Sequence, residues 1–230
     1  MTDKGERVTK GSLYHFTLSP WQNFMKHLDQ TQPFIIIRLA QTADADAMAH
    51  VMVDTYLAAH QGQMPEAAWQ KRKAEWTYEV SARSWRDYLQ GMADGEDPNA
   101  CVYVAEVADA EGAYPQLRGG ADAPLKLVGV IMAHPAQEEW LSNAAEIGAV
   151  YVLESSQGLG IGRKLMQAAA THMQKLGRTA LQVGVLTVNA PARNFYAALG
   201  GTPIGERQFD EEGFLLPEVV YGWPDIGAVV

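Results

Sequence analysis

Residues 146–166 read EIGAVYVLESSQGLGIGRKLM. The first third of this stretch is apolar and β-branched, which predicts a strand, and a short polar turn follows it. Three glycines then stand at alternate positions: Gly158, Gly160 and Gly162. Beyond them, apolar residues recur at helical spacing: Ile161, Leu165, Ala168, Ala169, Met173 and Leu176. Since Gly177 follows as a typical C-cap, the stretch predicts a strand, a glycine loop and a long helix.

A glycine loop at the N-terminus of a helix is a site for a phosphate group. Glycines let the backbone approach closely, the first helical N–H groups lack partners, and the helix dipole favours an anion there. Arg163 and Lys164, in the first turn, can meet phosphate oxygens. A dinucleotide-binding fold needs G-x-G-x-x-G, and counting from Gly158 puts Arg163 where the third glycine belongs. This spacing excludes an NAD-binding oxidoreductase, and the nucleotide pattern G-x-x-x-x-G-K-[ST] is missing from the sequence.

Composition restricts the class of protein. The 230 residues are 47% hydrophobic and 20% charged, as in soluble globular proteins. A net charge of −9 argues against nonspecific binding to nucleic acid or to an anionic membrane, because both need a basic surface. The single cysteine, Cys101, cannot form an internal disulfide, and residues 1–11 are too polar for a signal peptide. We therefore expect a cytoplasmic protein with no membrane span.

Elements are also predicted along the rest of the chain. Strands are expected at 34–39, 101–107, 125–133, 181–188, 202–209 and 216–223. Helices are expected at 43–59, at 66–92 in one or two pieces, and after Asn189, which can cap a helix ending at Gly200 and Gly201. The Gly-, Ala- and Asp-rich residues 111–124 predict a long hairpin loop, and residues 1–32 show no sustained period.

Two motifs carry a family resemblance. Gln157, Gly160 and Gly162 fit Q/R-x-x-G-x-G/A, between a strand and a helix. Downstream, the pattern N-x-x-A-x-x-F-Y-x-x-x-G is matched by Asn189, Ala192, Phe195, Tyr196 and Gly200. In this combination the chain resembles the GNAT superfamily of N-acyltransferases, whose first motif is a coenzyme A signature. The family's usual phenylalanine after the last glycine is Gly201 here, which predicts one weakened packing contact.

The resemblance covers about residues 34–224 and implies a fold. That fold is mixed α+β, with a mostly antiparallel, twisted sheet of about seven strands flanked by about four helices. Its two central strands splay apart, so that the thioester lies between them and the pyrophosphate on the glycine-loop helix. We expect one GNAT domain at residues 33–226 and an N-terminal extension of unknown role at residues 1–32.

The resemblance also implies a site. The cofactor-binding residues would be Val150, Val152, Gln157, Gly158, Leu159, Gly160, Ile161, Gly162, Arg163 and Asn189. Val150 and Val152 would pair with the pantetheine arm as a strand does. The backbone N–H of Val152 would stabilise the tetrahedral oxyanion. No His, Cys, Asp and Glu residues have metal-ligand spacing, so no metal is expected.

Two side chains are candidates for proton transfer. An alkyl ammonium of pKa about 10.4 is neutral in only about one molecule in 10³ at pH 7, so attack on a thioester needs a proton acceptor. Glu146 stands at the start of the central strand, where many family members carry a base, and a solvated strand-end carboxylate is the alternative. Tyr196 stands where the family has the acid for the thiolate, and a half-buried helical tyrosine is the alternative.

These features predict an N-acetyltransferase that moves an acetyl group from acetyl-CoA to a primary amine of a small molecule or peptide. The alternative is a domain that binds acyl-coenzyme A without transfer. Family acceptor selectivity maps to residues 60–64 and 210–213, and acidic residues suggest a cationic acceptor unless they are only solvated: Glu138, Glu139, Asp210, Glu211 and Glu212. No nucleic-acid or membrane partner is expected, and a homodimer is left open.

Overall fold

The computed structural model describes residues 34–108, 125–138, 140–211 and 213–229. The predicted extension at 1–32 and the predicted loop at 111–124 lie outside them. The strands are β1 (Phe34–Leu39), β2 (Cys101–Ala108), β3 (Lys126–Pro135), β4 (Ala144–Val152), β5 (Ala180–Leu186), β6 (Thr202–Glu211) and β7 (Phe214–Trp223). The helices are α1 (Ala45–His60), α2 (Glu66–Glu75), α3 (Tyr78–Ala93), α4 (Ile161–Lys175) and α5 (Ala190–Ala198). Short 3-10 turns stand at Thr42–Asp44, Glu154–Ser156 and Ile226–Val229.

The seven strands of the described residues form one sheet, in the order β1-β2-β3-β4-β5-β7-β6. Every neighbouring pair is antiparallel except β4 with β5, which is parallel. Parallel neighbours need a crossover connection, and α4 supplies it on one face of the sheet. The expected mixed fold with a mostly antiparallel seven-stranded sheet is confirmed.

The parallel pair separates soon after it forms. Its register runs only from Ala144 with Ala180 to Glu146 with Gln182. β4 continues to Val152 and β5 to Leu186 without pairing with each other, so a wedge opens between them. The expected splay of the two central strands is therefore present.

A β-bulge at Gly148 shapes the splayed part of β4. Ala149 pairs with Met132 and Ile147 pairs with Ala133, which leaves Gly148 as the extra residue. The extra residue shifts the two-residue alternation, so that Ile147 and Val150 both face the same core cluster. A side chain at Gly148 would meet His134 Nε2 at 2.8 Å, which gives a steric reason for glycine.

Helices cover both faces of the sheet. One core cluster joins α4 and α5 to the sheet through Leu165, Met166, Met173 and Tyr196. A second cluster joins α1 and α3 to the opposite face through Met48 and Trp85. Leu176, predicted for the apolar face of α4, is instead 39% exposed, because the helix ends at Lys175. Among the described residues, no helix is long and apolar enough to cross a membrane.

The described chain has five α-helices rather than about four, because the predicted helical region 66–92 is divided. α2 ends at Glu75, and Trp76 leaves the helical conformation with φ −94° and ψ 70°. Thr77 then caps α3, since its side-chain oxygen accepts a hydrogen bond from the Val80 N–H at 3.3 Å. Of the two predicted forms of this region, the structure has the one in two pieces, which meet at Trp76 and Thr77.

The contact expected to weaken at Gly201 is replaced by another. A Cβ atom on Gly201 would lie 2.6 Å from Trp223 Cζ2, so the indole already fills the space. Trp223 is 1% exposed, and its Nε1–H donates to the Leu199 carbonyl oxygen at 2.9 Å, which fixes the ring. The expectation of weaker packing was wrong, because an aromatic ring from β7 occupies the place beside the end of α5.

We therefore expect Gly201→Ala to destabilise the protein by about 1–3 kcal/mol, the usual cost of overpacking a core. Urea unfolding with an unchanged m value would measure the loss. Trp223→Phe removes one ring, so the same Gly201→Ala change should cost less than about 1 kcal/mol in that background. An equal cost in both backgrounds would show that Trp223 is not the obstacle.

Candidate active site

A cavity of about 620 Å³ occupies the wedge between β4 and β5. At one end it is lined by the glycine loop, and at the other by Glu146, Arg207 and Glu218. Residues 147–152 of β4 and 183–186 of β5 line it between these ends, and Tyr196 lines it from α5. The separation of two strands thus connects an anion-binding loop with a group of buried charges.

The glycine loop adopts a conformation that needs glycine at two positions. Gly158 has φ 76° and Gly160, the residue before α4, has φ 78°, both in the left-handed region. A Cβ at either would meet nothing within 4 Å, so these glycines are required by backbone conformation and leave open space for a ligand. Gly162 differs, because a Cβ there would lie 3.1 Å from the Phe195 ring. Glycine at this position lets α4 pack closely against Phe195 of α5, and its backbone N–H lies in the first turn of α4.

Other residues of the predicted cofactor set point in different directions. Ile161 is 1% exposed and packs in the core, so only its backbone can meet a ligand. Leu159 is 38% exposed. Arg163 is exposed and lines the cavity, as a side chain that meets phosphate oxygens would. The loop therefore offers backbone N–H groups and one guanidinium to an anion.

Gln157 joins the loop to the strand. Its Nε2–H donates to the Val152 carbonyl oxygen at 3.0 Å across the 3-10 turn. The sequence motif indicated a glutamine here without indicating this bond. Its effect is to hold the loop against the end of β4.

The backbone N–H of Val152 faces the wedge. Leu153 N–H donates to the Val128 carbonyl oxygen at 2.9 Å, so Leu153 is bonded to β3. Backbone groups alternate sides along a strand, and Val152 and Val150 therefore direct their N–H groups away from β3. β5 has already diverged on that side. These two N–H groups are donors available to an extended ligand in the cavity.

Asn189 caps α5, as the sequence predicts. Its Oδ1 accepts from the Ala192 N–H at 3.2 Å, and the residue also lines the cavity. The cap fixes the start of the helix that carries Tyr196.

Tyr196 is enclosed but faces the cavity. The side chain is 5% exposed and lies among Phe195, Tyr221 and Trp223, with ring centroids 5.3, 6.0 and 6.3 Å away. Burial raises the pKa of Tyr196 above its usual 10.0, and the nearby Glu218 charge adds to the rise. The hydroxyl therefore stays protonated through the neutral range and can donate a hydrogen bond.

Glu146 belongs to a buried charge network. Its Oε1 accepts from Arg207 Nη2 at 2.8 Å and its Oε2 from Gln182 Nε2 at 3.2 Å. Arg207 Nε also donates to Glu218 Oε2 at 2.8 Å, so one guanidinium bridges two carboxylates. Burial, the largest single influence, lowers the pKa of Arg207, but the hydrogen bonds to Glu218 and Glu146 and their charges together raise it. We call Glu146, Gln182, Arg207 and Glu218 the arginine network.

Gly184 makes room for this network. A Cβ on Gly184 would lie 2.5 Å from both Arg207 Nη2 and Glu218 Oε2. The bare backbone of β5 therefore lets the guanidinium and the carboxylate lie across the strand beside the wedge.

The loops predicted to select the acceptor contribute unequally. His60 lines the cavity and stacks on Tyr56 with ring centroids 4.1 Å apart. Burial lowers the pKa of His60 below 6.5, so the ring is neutral at pH 7. Glu211 is buried in an ion pair with Arg72 of α2, and Asp210 is exposed and accepts from the Gly213 N–H at 2.7 Å.

Of the other predicted acidic residues, Glu138 is exposed and outside the cavity lining, and Glu139 and Glu212 lie outside the described residues. The residues that sequence reasoning missed are Tyr56, Tyr151, Gln182, Arg207 and Glu218. A signal for some was present: Gln182 and Glu218 are polar residues within apolar strands, which indicates a buried partner.

Comparison with known proteins identifies the family. A family model described as "Acetyltransferase (GNAT) family" matches residues 66–200, more than half of the chain. The uncharacterized N-acetyltransferase YuaI of Bacillus subtilis (strain 168) is 34% identical over 95 residues, which are 41% of this chain and 54% of YuaI. The chain thus spans about half the length of this curated relative.

Solved structures share the fold. The PaiA N-acetyltransferase of Thermoplasma acidophilum in complex with coenzyme A has a TM-score of 0.53 at 18% identity, over 80% of this chain and 97% of that one. The yncA protein of Salmonella typhimurium with its cofactor acetyl-CoA has a TM-score of 0.51 at 18% identity, over 82% and 92% of the two chains. The family match includes both the glycine loop and the helix that carries Tyr196, and we conclude that this protein belongs to the acetyltransferase (GNAT) family.

Proposed function

We propose that the protein transfers an acetyl group from acetyl-CoA to a primary amine by direct attack within a ternary complex. The observation that carries this proposal is the single cavity joining the glycine loop to the arginine network through the β4/β5 wedge. A donor with a pyrophosphate at one end and a reactive thioester at the other fits such a passage. The coenzyme A and acetyl-CoA complexes of the two similar folds support this choice of co-substrate.

The binding roles follow from the donors on the cavity wall. Backbone N–H groups at residues 158–163 and the Arg163 guanidinium would hold the pyrophosphate. Val150 and Val152 would pair with the pantetheine arm, and Gln157 would keep the loop in place. The Val152 N–H would also face the thioester carbonyl, where a donor stabilises the charge that develops on oxygen. We propose no metal.

The proposed reaction balances with two proton-transfer groups. Glu146, through a water molecule, takes the proton of the ammonium, and the neutral nitrogen attacks the carbonyl carbon to form the C–N bond. The nitrogen then loses its second proton to solvent, and the C–S bond breaks as the oxyanion collapses. The departing thiolate takes the hydroxyl proton of Tyr196, which is restored from solvent. The products are the acetamide, coenzyme A and one proton, which Glu146 returns to solvent.

Binding of the co-substrate can be tested at Gly160. Acetyl-CoA should raise the melting temperature, and NAD or ATP at equal concentration should do little. Gly160→Val puts a branched side chain into the loop and should abolish most of the shift. Gly177→Val is the matched control, because Gly177 also has a left-handed φ of 85°, nothing near its Cβ, and stands at the other end of α4. Equal acetyl-CoA binding by the two variants would remove the loop from the site.

The proposed base can be tested by the pH dependence of Glu146→Gln. We expect kcat/KM to fall most near neutral pH and to recover partly at high pH, because the amine is then already neutral. The amide keeps the size of the side chain, and acetyl-CoA binding should not change. A pH–rate profile parallel to the wild type would leave Glu146 only its structural role beside Arg207.

The proposed acid can be tested by Tyr196→Phe, which keeps the ring and its packing. A thiol has a reference pKa of about 8.5, so the thiolate leaves tolerably well without an acid. We therefore expect kcat to fall by about 10–10², the low end of the range for acid catalysis, with acetyl-CoA binding nearly unchanged. Tyr221→Phe is the control, since Tyr221 packs against Tyr196 but is outside the cavity lining. Full activity of Tyr196→Phe would contradict the assignment.

A further inference from the structure

Among the described residues, the far end of the cavity carries one excess negative charge. The described charged side chains that line it there are Glu146, Arg207 and Glu218, two carboxylates and one guanidinium. Arg163 lies in the first turn of α4, at the other end, and His60 is neutral at pH 7 because burial lowers its pKa. A single cation in this space would leave the group electrically neutral, which favours its binding at low dielectric.

The two carboxylates differ in the acceptor sites that they leave open. Both oxygens of Glu146 already accept hydrogen bonds, one from Arg207 and one from Gln182. Glu218 uses only Oε2, toward Arg207, and its Oε1 has no hydrogen-bond donor among the described residues. Oε1 also keeps some exposed surface, and Glu218 lines the cavity. Glu218 is therefore the carboxylate with an oxygen that no described side chain or backbone group bonds, whereas each oxygen of Glu146 keeps only its second lone pair, which a water can use.

Arg207 holds Glu218 in a defined orientation. The Glu218 side chain is 11% exposed and the Arg207 side chain 23% exposed, so the pair is largely withdrawn from bulk water. Gly184 lets the pair lie across β5, beside the place where β4 and β5 separate. The Glu218 charge also contributes to the raised pKa of both Tyr151 and Tyr196. The carboxylate therefore acts electrostatically on groups from both sides of the wedge.

The walls around Glu218 are apolar. Leu186 and Leu216 line the cavity, are 6% and 5% exposed, and pack against Met64 and Trp69 beneath the connection between α1 and α2. Tyr56, Ala59 and Phe209 also line the cavity, as do the polar side chains of Thr55 and His60, neither of which is charged at pH 7. Such a surface fits the hydrocarbon body of a substrate and offers no partner to a second positive charge.

Of the acidic residues that suggested a cationic acceptor, the three that the structure describes offer no partner to a second positive charge in the cavity. Glu211 is neutralised by its ion pair with Arg72, and neither Asp210 nor Glu138 lines the cavity. A second ammonium group in the described part of the cavity would be desolvated without an opposite charge, which is costly.

We propose that Glu218 binds the ammonium group of the acceptor through Oε1, and that the acceptor is a monoamine with an apolar aliphatic or aromatic body. This inference rests on the proposed acetyl transfer and names the substrate class of the same site. Arg207 and Glu146 orient Glu218, and the apolar walls select the body that follows the amine.

Steady-state kinetics on the full chain test the substrate class and the role of Glu218 together. The probes are 2-phenylethylamine and the polycation spermidine, with acetyl-CoA saturating. We expect kcat/KM at least about 10-fold higher for 2-phenylethylamine, because the buried site rejects uncompensated charge. Glu218→Gln should raise KM for 2-phenylethylamine by about 10- to 100-fold, as loss of a charge-assisted hydrogen bond typically does, with a smaller change in kcat.

Two variants control for charge and folding. Glu206→Gln makes the same change of charge at an exposed neighbouring position of β6 and should leave KM unaltered. Glu218→Asp keeps the charge but withdraws it by one methylene, so we expect an intermediate KM. This variant provides the test if Glu218→Gln does not fold. Acetyl-CoA should still raise the melting temperature of each folded variant as it does that of the wild type.

The outcomes separate this inference from the proposed function. A wild-type enzyme that acetylates amines but prefers spermidine, or a Glu218→Gln enzyme with unchanged KM, would overturn the inference and leave acetyl transfer in place. Acetyl-CoA binding with no acetylation of any amine in a broad panel would overturn the proposed function, and this inference with it.

Discussion

The pairing of β4 with β5 ends after Glu146 and Gln182, and the rest of the site depends on the gap that follows. A continuous ladder would use the backbone N–H groups of Val150 and Val152 for the sheet, where no ligand could reach them. The gap also opens a passage through the sheet. Tyr196 on α5 and Glu218 on β7 therefore line one cavity. The bulge at Gly148 and the side chain of Gln157 fix the geometry of its β4 edge.

A buried charge on the wall of such a gap is costly unless it is paired, and the arginine network meets this requirement. Arg207 pairs with both carboxylates, and Gln182 completes the contacts of Glu146 while also donating to the Glu138 carbonyl oxygen at 2.6 Å. The arrangement leaves one carboxylate oxygen and one negative charge for a ligand. In this account, the same network that makes the charges tolerable inside the fold also determines which amine can bind.

The local features of this site could be predicted from the sequence, whereas its long-range contacts could not. The glycine loop, the Asn189 cap and the predicted positions of the strands depend on neighbouring residues, whose spacing is readable. Glu146 and Arg207 are 61 residues apart, and only the sheet order, with β7 between β5 and β6, brings their strands near. Gly201 was misjudged for the same reason, because the ring that fills its space, Trp223, comes from a distant strand. Leu176 was misjudged because it is the capping residue after the last helical residue, where the side chain no longer follows the apolar face of α4.

The most direct test of this account is the position of the acetyl group when acetyl-CoA is bound. Acetyl-CoA labelled with ¹³C in the acetyl methyl, added to the full chain without an amine, allows isotope-filtered NOE measurement between that methyl and protein protons. The account predicts NOEs to the methyl groups of Val152 and to the ring protons of Tyr196, which both line the cavity. NOEs only to residues outside the wedge, from a saturated complex, would contradict the claim that the thioester lies between β4 and β5.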